Sequence, residues 1–267
     1  MKVGNFKKLK PKHLIVFDLD GTLVYTKSPI ENRMLELLKR LLAVKKVAVI
    51  GGGKYDVFQE LLLRPLGALK NSEKLLENLF IFPTTATSFY RYSRGWKRVY
   101  LHSLTKRERD AIKKTFQQVF KEIGYQHSPK VYGEIIEDRG TQVTFSALGQ
   151  DVVKVLGKKG ILLKERWKKE HTSTKMAIAR LMAKYLPNLE VHAAGFTSVD
   201  VTKKGIDKAY GLSQIETHLS VKIKEMVFIG DAIFPGGNDY AVVRTGIDYI
   251  PVSNPKETEK IIRSIIE

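Results

Sequence analysis

Leu14-Ile15-Val16-Phe17-Asp18-Leu19-Asp20-Gly21-Thr22-Leu23 is the stretch on which the fold turns. Four apolar residues run without alternation into an acidic, glycine-containing turn. That is the pattern of a strand buried on both faces of a parallel sheet, delivering side chains at its carboxyl end. Open α/β sheets bind their ligands at that edge. Two readings of the Asp18/Asp20 pair stay open at this level. It is either an acidic turn that closes a strand, or a paired carboxylate site. In the second case the like charges call for a cation, and Mg²⁺ suits a few carboxylates plus water and phosphate oxygens. A distant third carboxylate is available in Asp231, which ends the apolar run Met226-Val227-Phe228-Ile229-Gly230 and precedes Gly236-Gly237-Asn238-Asp239.

Working outward, the chain alternates strand and helix on both sides of this motif. Ser28-Pro29-Ile30-Glu31 has the form of a capping box, and Met34, Leu35, Leu37, Leu38, Leu41 and Leu42 give the following helix an apolar face. Val47 to Ile50 is a second buried strand, broken at Gly51-Gly52-Gly53 and followed by a helix from Tyr55 to Leu63. Leu79 to Phe82 is a third strand. From about Thr84 the pattern changes: strands are expected at 88–92, 96–101, 131–137 and 142–145. Helices are expected from the box Thr105-Lys106-Arg107-Glu108 to Gly124, and from Thr174 to Tyr185. Beyond about 190 the first architecture returns, with strands at 226–229 and 248–252 and a last helix capped by Asn254-Pro255. The fold class is therefore α/β. A parallel-sheet core over 1–84 and 190–267 carries an inserted α+β cap over 85–189.

Composition narrows the function classes. No apolar run reaches the roughly 18 residues of a membrane span, and the Lys-rich start Met1 to Lys12 shows no cleavage signature. With no cysteine, disulfides, thiolate metal sites and Cys nucleophiles are excluded, and a cytoplasmic location is expected. The net charge of +18 favours anionic partners. Residues 84–188 hold 22 Lys/Arg against 9 Asp/Glu, which places most of the excess in the cap.

Phe17-Asp18-Leu19-Asp20-Gly21-Thr22-Leu23 resembles the first motif of the haloacid dehalogenase superfamily of phosphotransferases, whose cores are Rossmann-like. The resemblance implies that Asp18 is a nucleophile forming an aspartyl-phosphate and Asp20 a general acid/base. It implies Mg²⁺ on the Asp18 carboxylate, the Asp20 carbonyl and Asp231, with Asn238 and Asp239 supporting those ligands, and Lys208 as the cation that neutralises the phosphoryl group. The position of the insert corresponds to the superfamily's C2 caps. Gly51-Gly52-Gly53, Gly195 to Lys208 and Pro235-Gly236-Gly237-Asn238-Asp239 are further similar to the eukaryotic-type phosphomannomutases. On that pattern Gly51, Gly52, Arg139, Ser198 and Asp200 are substrate-binding candidates.

The departures bear on function. Tyr132 and Gln150 stand where those mutases carry cap arginines, Gly53 replaces a serine, and Thr84-Thr85-Ala86 replaces Glu-Asn-Gly. Losing two guanidinium forks weakens the clamp that a mutase keeps on a bisphosphorylated sugar. The sequence therefore puts first a Mg²⁺-dependent phosphatase of sugar phosphates or similar small metabolites, and second a phosphosugar mutase. A nucleic-acid-binding protein on the same scaffold, using Tyr90, Tyr92, Trp96, Tyr100 and Trp167, comes third. The expected partner is a phosphorylated small molecule, with a homodimer through the cap as a further expectation and nucleic acid disfavoured.

Overall fold

The computed structural model describes residues 9–267; residues 1–8 of the Lys-rich start lie outside the described part. In chain order the strands are β1 (Leu14–Asp18), β2 (Lys46–Ile50), β3 (Leu79–Phe82), β4 (Ser88–Tyr92), β5 (Trp96–Leu101), β6 (Ile136–Asp138), β7 (Val143–Ser146), β8 (Leu189–Ala194), β9 (Ser198–Lys203), β10 (Met226–Gly230) and β11 (Asp248–Pro251). The helices used below are α1 (Asn32–Leu42), α2 (Lys106–Glu122), α3 (Lys158–Tyr185), α4 (Lys208–Leu219) and α5 (Pro255–Ile266).

The first unit holds the chain up to Leu101 together with Asp207–Pro235 and Asp239–Glu267. Its seven-stranded sheet has the order β11-β10-β1-β2-β3-β4-β5, parallel from β11 to β3, with β4 and β5 added antiparallel. The unbroken apolar runs are explained by burial on both faces. Because successive side chains point to opposite sides, Ile15, Phe17, Val47, Val49, Val227 and Ile229 join one core with α1 and α5. Leu14, Val16, Ala48, Ile50, Met226 and Phe228 join the other with Leu212 and Ile215 of α4. The middle of the parallel part is thus β10-β1-β2, and the carboxyl ends of these three strands lie side by side.

The second unit comprises His102–Ile206 with Gly236–Asn238. It carries an antiparallel sheet of order β6-β7-β9-β8. Val143, Phe145, Val199 and Val201 pack one face of it against Ile112, Phe116 and Val119 of α2 and Ile178 and Met182 of α3. The alternate residues Thr144, Ser146, Asp200 and Thr202 are polar and also buried.

Several expectations shift. The change of pattern at Thr84 marks an antiparallel extension of the first sheet rather than a new unit: Phe80 pairs with Arg91 and Ile81 with Tyr90, and Phe89 stacks on Phe82 at 4.5 Å. The insert therefore begins after Leu101. It ends near Ile206 rather than 190, because β8 and β9 close the second sheet. The Ser28–Glu31 box does not form. Helix α1 starts at Asn32 with Glu31 in the N-cap position and no side-chain cap. The Thr105/Glu108 box on α2 does form in both directions, at 3.2 and 2.6 Å. The expected strand over 131–137 shrinks to Ile136–Asp138, and the Thr174–Tyr185 helix is the second part of α3, kinked at His171. The segment following β3 is a left-handed turn, with φ of 48°, 58° and 67° at Thr84, Thr85 and Ala86. Among the described residues no helix is long and apolar enough to cross a membrane.

Candidate active site

Neighbouring strands set the geometry. Phe17 of β1 pairs with Ile229 of β10, so Asp18 ends β1 beside Gly230, and Asp231 follows one residue later. Two glycines make the approach feasible. A Cβ on Gly230 would stand 2.3 Å from Asp239 Oδ2, and one on Gly21, at φ +86°, would stand 2.5 Å from Asp231 Oδ2. Any side chain at either position would collide with a carboxylate.

Lys208 is the first residue of α4. The Asp207 carboxylate caps that helix by accepting the Tyr210 N–H at 2.9 Å, and Arg244 donates to the other Asp207 oxygen at 2.5 Å. This fixes the helix start at Lys208. The fully buried Lys208 ammonium donates to Asp18 Oδ1 and to Asp239 Oδ1. Asp239 Oδ2 accepts the Ala232 N–H at 3.0 Å, so both of its oxygens are engaged.

Asp18, Asp231 and Asp239 each offer an oxygen within 4.8 Å of the others. The electrostatics record this crowding. Burial raises the Asp18 carboxyl well above the usual range, the charges of Asp239 and Asp231 push the same way, and Lys208 offsets only part. Burial and then Asp239 lift Asp231 to about 6. Burial alone would lower the Lys208 ammonium, but contact with Asp18 and Asp239 outweighs it and holds the group above the ordinary lysine range. Three carboxylates against one ammonium is a hard-oxygen donor set with excess negative charge, and it fits a hard divalent cation.

Asp20 lies in the loop after β1. Leu23 and Val24 donate to the Leu19 carbonyl, both at 3.0 Å, and Asp20 Oδ1 accepts the Lys27 N–H at 2.6 Å. Its carboxylate stands outside the three-acid cluster, yet its charge contributes to raising Asp231. Gly51 and Gly52 follow β2 at the same edge. The Gly51 N–H donates to Phe82 O at 3.2 Å, and the Gly51 and Gly53 carbonyls accept from Thr85 and Thr84 at 2.9 and 2.8 Å. The left-handed turn thus ties down the glycine loop.

In the second unit Ser198 and Asp200 share one face of β9, since they are two residues apart on a strand. Asp200 is buried and accepts from Thr144 Oγ1 at 2.8 Å. The Arg139 guanidinium is already engaged inside this unit, with Glu137 at 2.8 Å and Gln150 at 3.2 Å. Asn238 sits in the loop before Asp239.

The Asp239 carboxylate lies beside those of Asp18 and Asp231 and accepts from Lys208, a closeness that the supporting place given to it by the family resemblance does not specify. A usable signal was present in Gly230, since a residue without a side chain next to Asp231 marks something that must come close.

A buried carboxylate–lysine centre at the carboxyl edge of a parallel sheet, with an inserted α+β unit, defines an enzyme of the haloacid dehalogenase-like phosphotransfer class. The fold agrees with solved structures of low identity. Plasmodium falciparum IMP-nucleotidase aligns with a TM-score of 0.70 at 17% identity, covering 98% of this chain and 70% of that one. A haloacid dehalogenase-like hydrolase from Bacteroides thetaiotaomicron aligns with a TM-score of 0.59 at 17% identity, covering 94% and 99%. The signature of the eukaryotic phosphomannomutase family matches residues 34–267, and the chain belongs to that family. A phosphomannomutase of Drosophila melanogaster is 27% identical over 263 residues, spanning 95% of each chain.

Proposed function

We propose that this protein is a Mg²⁺-dependent phosphosugar mutase of phosphomannomutase type, working through an aspartyl-phosphate on Asp18. The observation that carries the chemistry is the buried Lys208 bridging Asp18 and Asp239 beside Asp231. Family membership over residues 34–267, and the names of the relatives, favour a sugar acceptor over the hydrolysis that the sequence alone puts first.

An Asp18 carboxylate oxygen attacks phosphorus, and the bond from phosphorus to the sugar oxygen breaks. Asp20 gives its proton to the departing oxygen. In the return half, a hydroxyl of the sugar attacks the aspartyl-phosphate while Asp20 takes its proton. Lys208 keeps the Asp18 side chain oriented and lowers the charge repulsion between carboxylate and phosphate dianion. Asp18 and Asp231 with the Asp20 carbonyl would hold Mg²⁺, Asp239 standing beside them on Lys208; bound there, the ion supplies neutralisation of the phosphoryl oxygens. Backbone N–H groups of the Gly51-Gly52 loop would cradle phosphate. Ser198 and Asp200, with Arg139 at the edge of the same sheet, would contact the remainder of the substrate.

Hydrolysis is the second reading, and one observation favours it. Tyr132 and Gln150 supply no guanidinium, and Arg139 is held by Glu137 and Gln150. ³¹P NMR of mannose 1-phosphate with Mg²⁺ and a trace of mannose 1,6-bisphosphate separates the two. The mutase reading predicts growth of mannose 6-phosphate, abolished by omitting the bisphosphate. Orthophosphate as the only product transfers the assignment to a phosphatase.

A further inference from the structure

Lys175, on α3, is a buried ammonium that the described residues leave poorly compensated. The residue is 7% exposed, and its Nζ has one hydrogen bond among the described residues, to the Gly195 carbonyl at 2.8 Å. An ammonium carries three donors, so two remain for another acceptor. Burying such a charge against a single neutral oxygen is costly. Lys208 shows the alternative, with two carboxylates in contact.

The surroundings favour an anion at that place. Lys168, seven residues earlier on the same helix, puts its Nζ 4.7 Å from the ring of Phe196. Two ammonium groups of α3 therefore converge on the Gly195–Thr197 turn that joins β8 to β9. Gly195 is exposed there, with φ +45°, and Ser198 opens β9 on the far side of the turn. Burial first, and then the Lys168 charge, lower Lys175 to about 8; Asp200 of β9 opposes them without forming an ion pair to it. Asp200 itself receives the Thr144 hydroxyl. Among the described residues of the elements packed on α3, which are α2, the helix over 152–156, β8 and β9, Asp200 of β9 is the group whose charge acts on Lys175, while β8 places His192 opposite Asp200 and the turn has no titratable side chain.

We propose that Lys175, backed by Lys168, is a phosphate-recognition cation of the second unit, holding a phosphoryl group at the Gly195–Ser198 turn. The proposal rests on the phosphosugar reading for the identity of the ligand. A phosphate monoester presents several acceptor oxygens, and a lysine meets them as a point charge on a flexible stem. It would thereby supply the charge that Tyr132 and Gln150 do not, in a form that titrates where a guanidinium would not. A bound anion favours the protonated amine, so affinity is full below about 8 and weakens as pH rises through that value.

The test uses the full chain labelled with ¹³Cε lysine, with the Lys175 resonance assigned by its absence in Lys175→Arg. In the free protein it should titrate near 8, and saturating inorganic phosphate should raise that midpoint by about 1 or more, equivalent to about tenfold in affinity between charged and neutral forms. An unmoved midpoint overturns the proposal. Kinetics give a second readout. Lys175→Met keeps the aliphatic stem and should raise KM for the sugar phosphate about 10- to 100-fold, with kcat within about threefold. Lys175→Arg should restore KM and remove its rise between about pH 7 and 9. An unchanged KM in a folded Lys175→Met, or an Arg variant that keeps the wild-type pH profile, contradicts the role. If sugar phosphates are not turned over while phosphate still moves the Lys175 midpoint, the mutase reading fails and this site stands.

Discussion

Two of the buried lysines, Lys208 in the first unit and Lys175 in the second, have opposite surroundings. Lys208 touches two carboxylates and is held above its ordinary range, whereas Lys175 touches one carbonyl and is held below it, at about 8. The same side chain is thus internally neutralised in one place and short of a counter-charge in the other. The first has its own charge met by Asp18 and Asp239, within a cluster that still carries excess negative charge. The second is a charge that a ligand completes.

Removing Lys208 should have the largest effect. Lys208→Met leaves Asp18 and Asp239 buried without their cation, and breaking a buried pair in this way costs about 3–5 kcal/mol. Thermal or urea denaturation should show that loss, and turnover should fall by at least about a thousandfold. A variant as stable as the parent would mean that the two carboxylates do not depend on Lys208 and that the contrast between the lysines is false.

Next in size is Asp231→Asn, with the opposite sign. Asp231 is lifted to about 6, so near neutral pH its charge opposes folding. A carboxyl raised in the folded state costs stability as pH climbs from its unfolded value toward the raised one. The amide should therefore stabilise the metal-free protein by roughly 1–2 kcal/mol at pH 7, with the gain vanishing near pH 4. The same variant should lose both activity and stabilisation by Mg²⁺. A Tm increment on adding Mg²⁺ equal to that of the parent would remove Asp231 from the metal set.

The smallest effect concerns the turn behind the glycine loop. Ala86 sits at φ +67°, and a left-handed Ala costs about 1 kcal/mol. Ala86→Gly should raise stability by roughly 0.5 kcal/mol in chemical denaturation, after the entropy of the unfolded glycine is counted. Destabilisation would indicate that the packing of its methyl against α4 outweighs the backbone relief.

The core was the more legible unit in the sequence. Continuous apolar runs ending in Asp18 and Gly230 announce buried parallel strands, and position alone puts both at one sheet edge. The Thr105/Glu108 box was readable because both partners are local. Less readable were features set by distant pairing. The 88–101 hairpin resembles a new unit in composition, and only its pairing with β3 assigns it to the first sheet. Asp239 and Lys208 meet across 31 residues, and Lys175 reaches Gly195 across 20, so no local pattern announces either contact. Arg139 stands out in the sequence only through the family resemblance, and its engagement by Glu137 and Gln150 is a tertiary fact.

In the proposed reaction Asp18 carries the phosphoryl group. Rapid-quench mass spectrometry of the peptide containing residues 14–23, after mixing enzyme with Mg²⁺ and mannose 1,6-bisphosphate, tests it most directly. One phosphoryl group is expected on Asp18, labile to hydroxylamine and absent from Asp18→Asn, which should also be inactive. Turnover with the label on another residue, or an active Asp18→Asn, would contradict it.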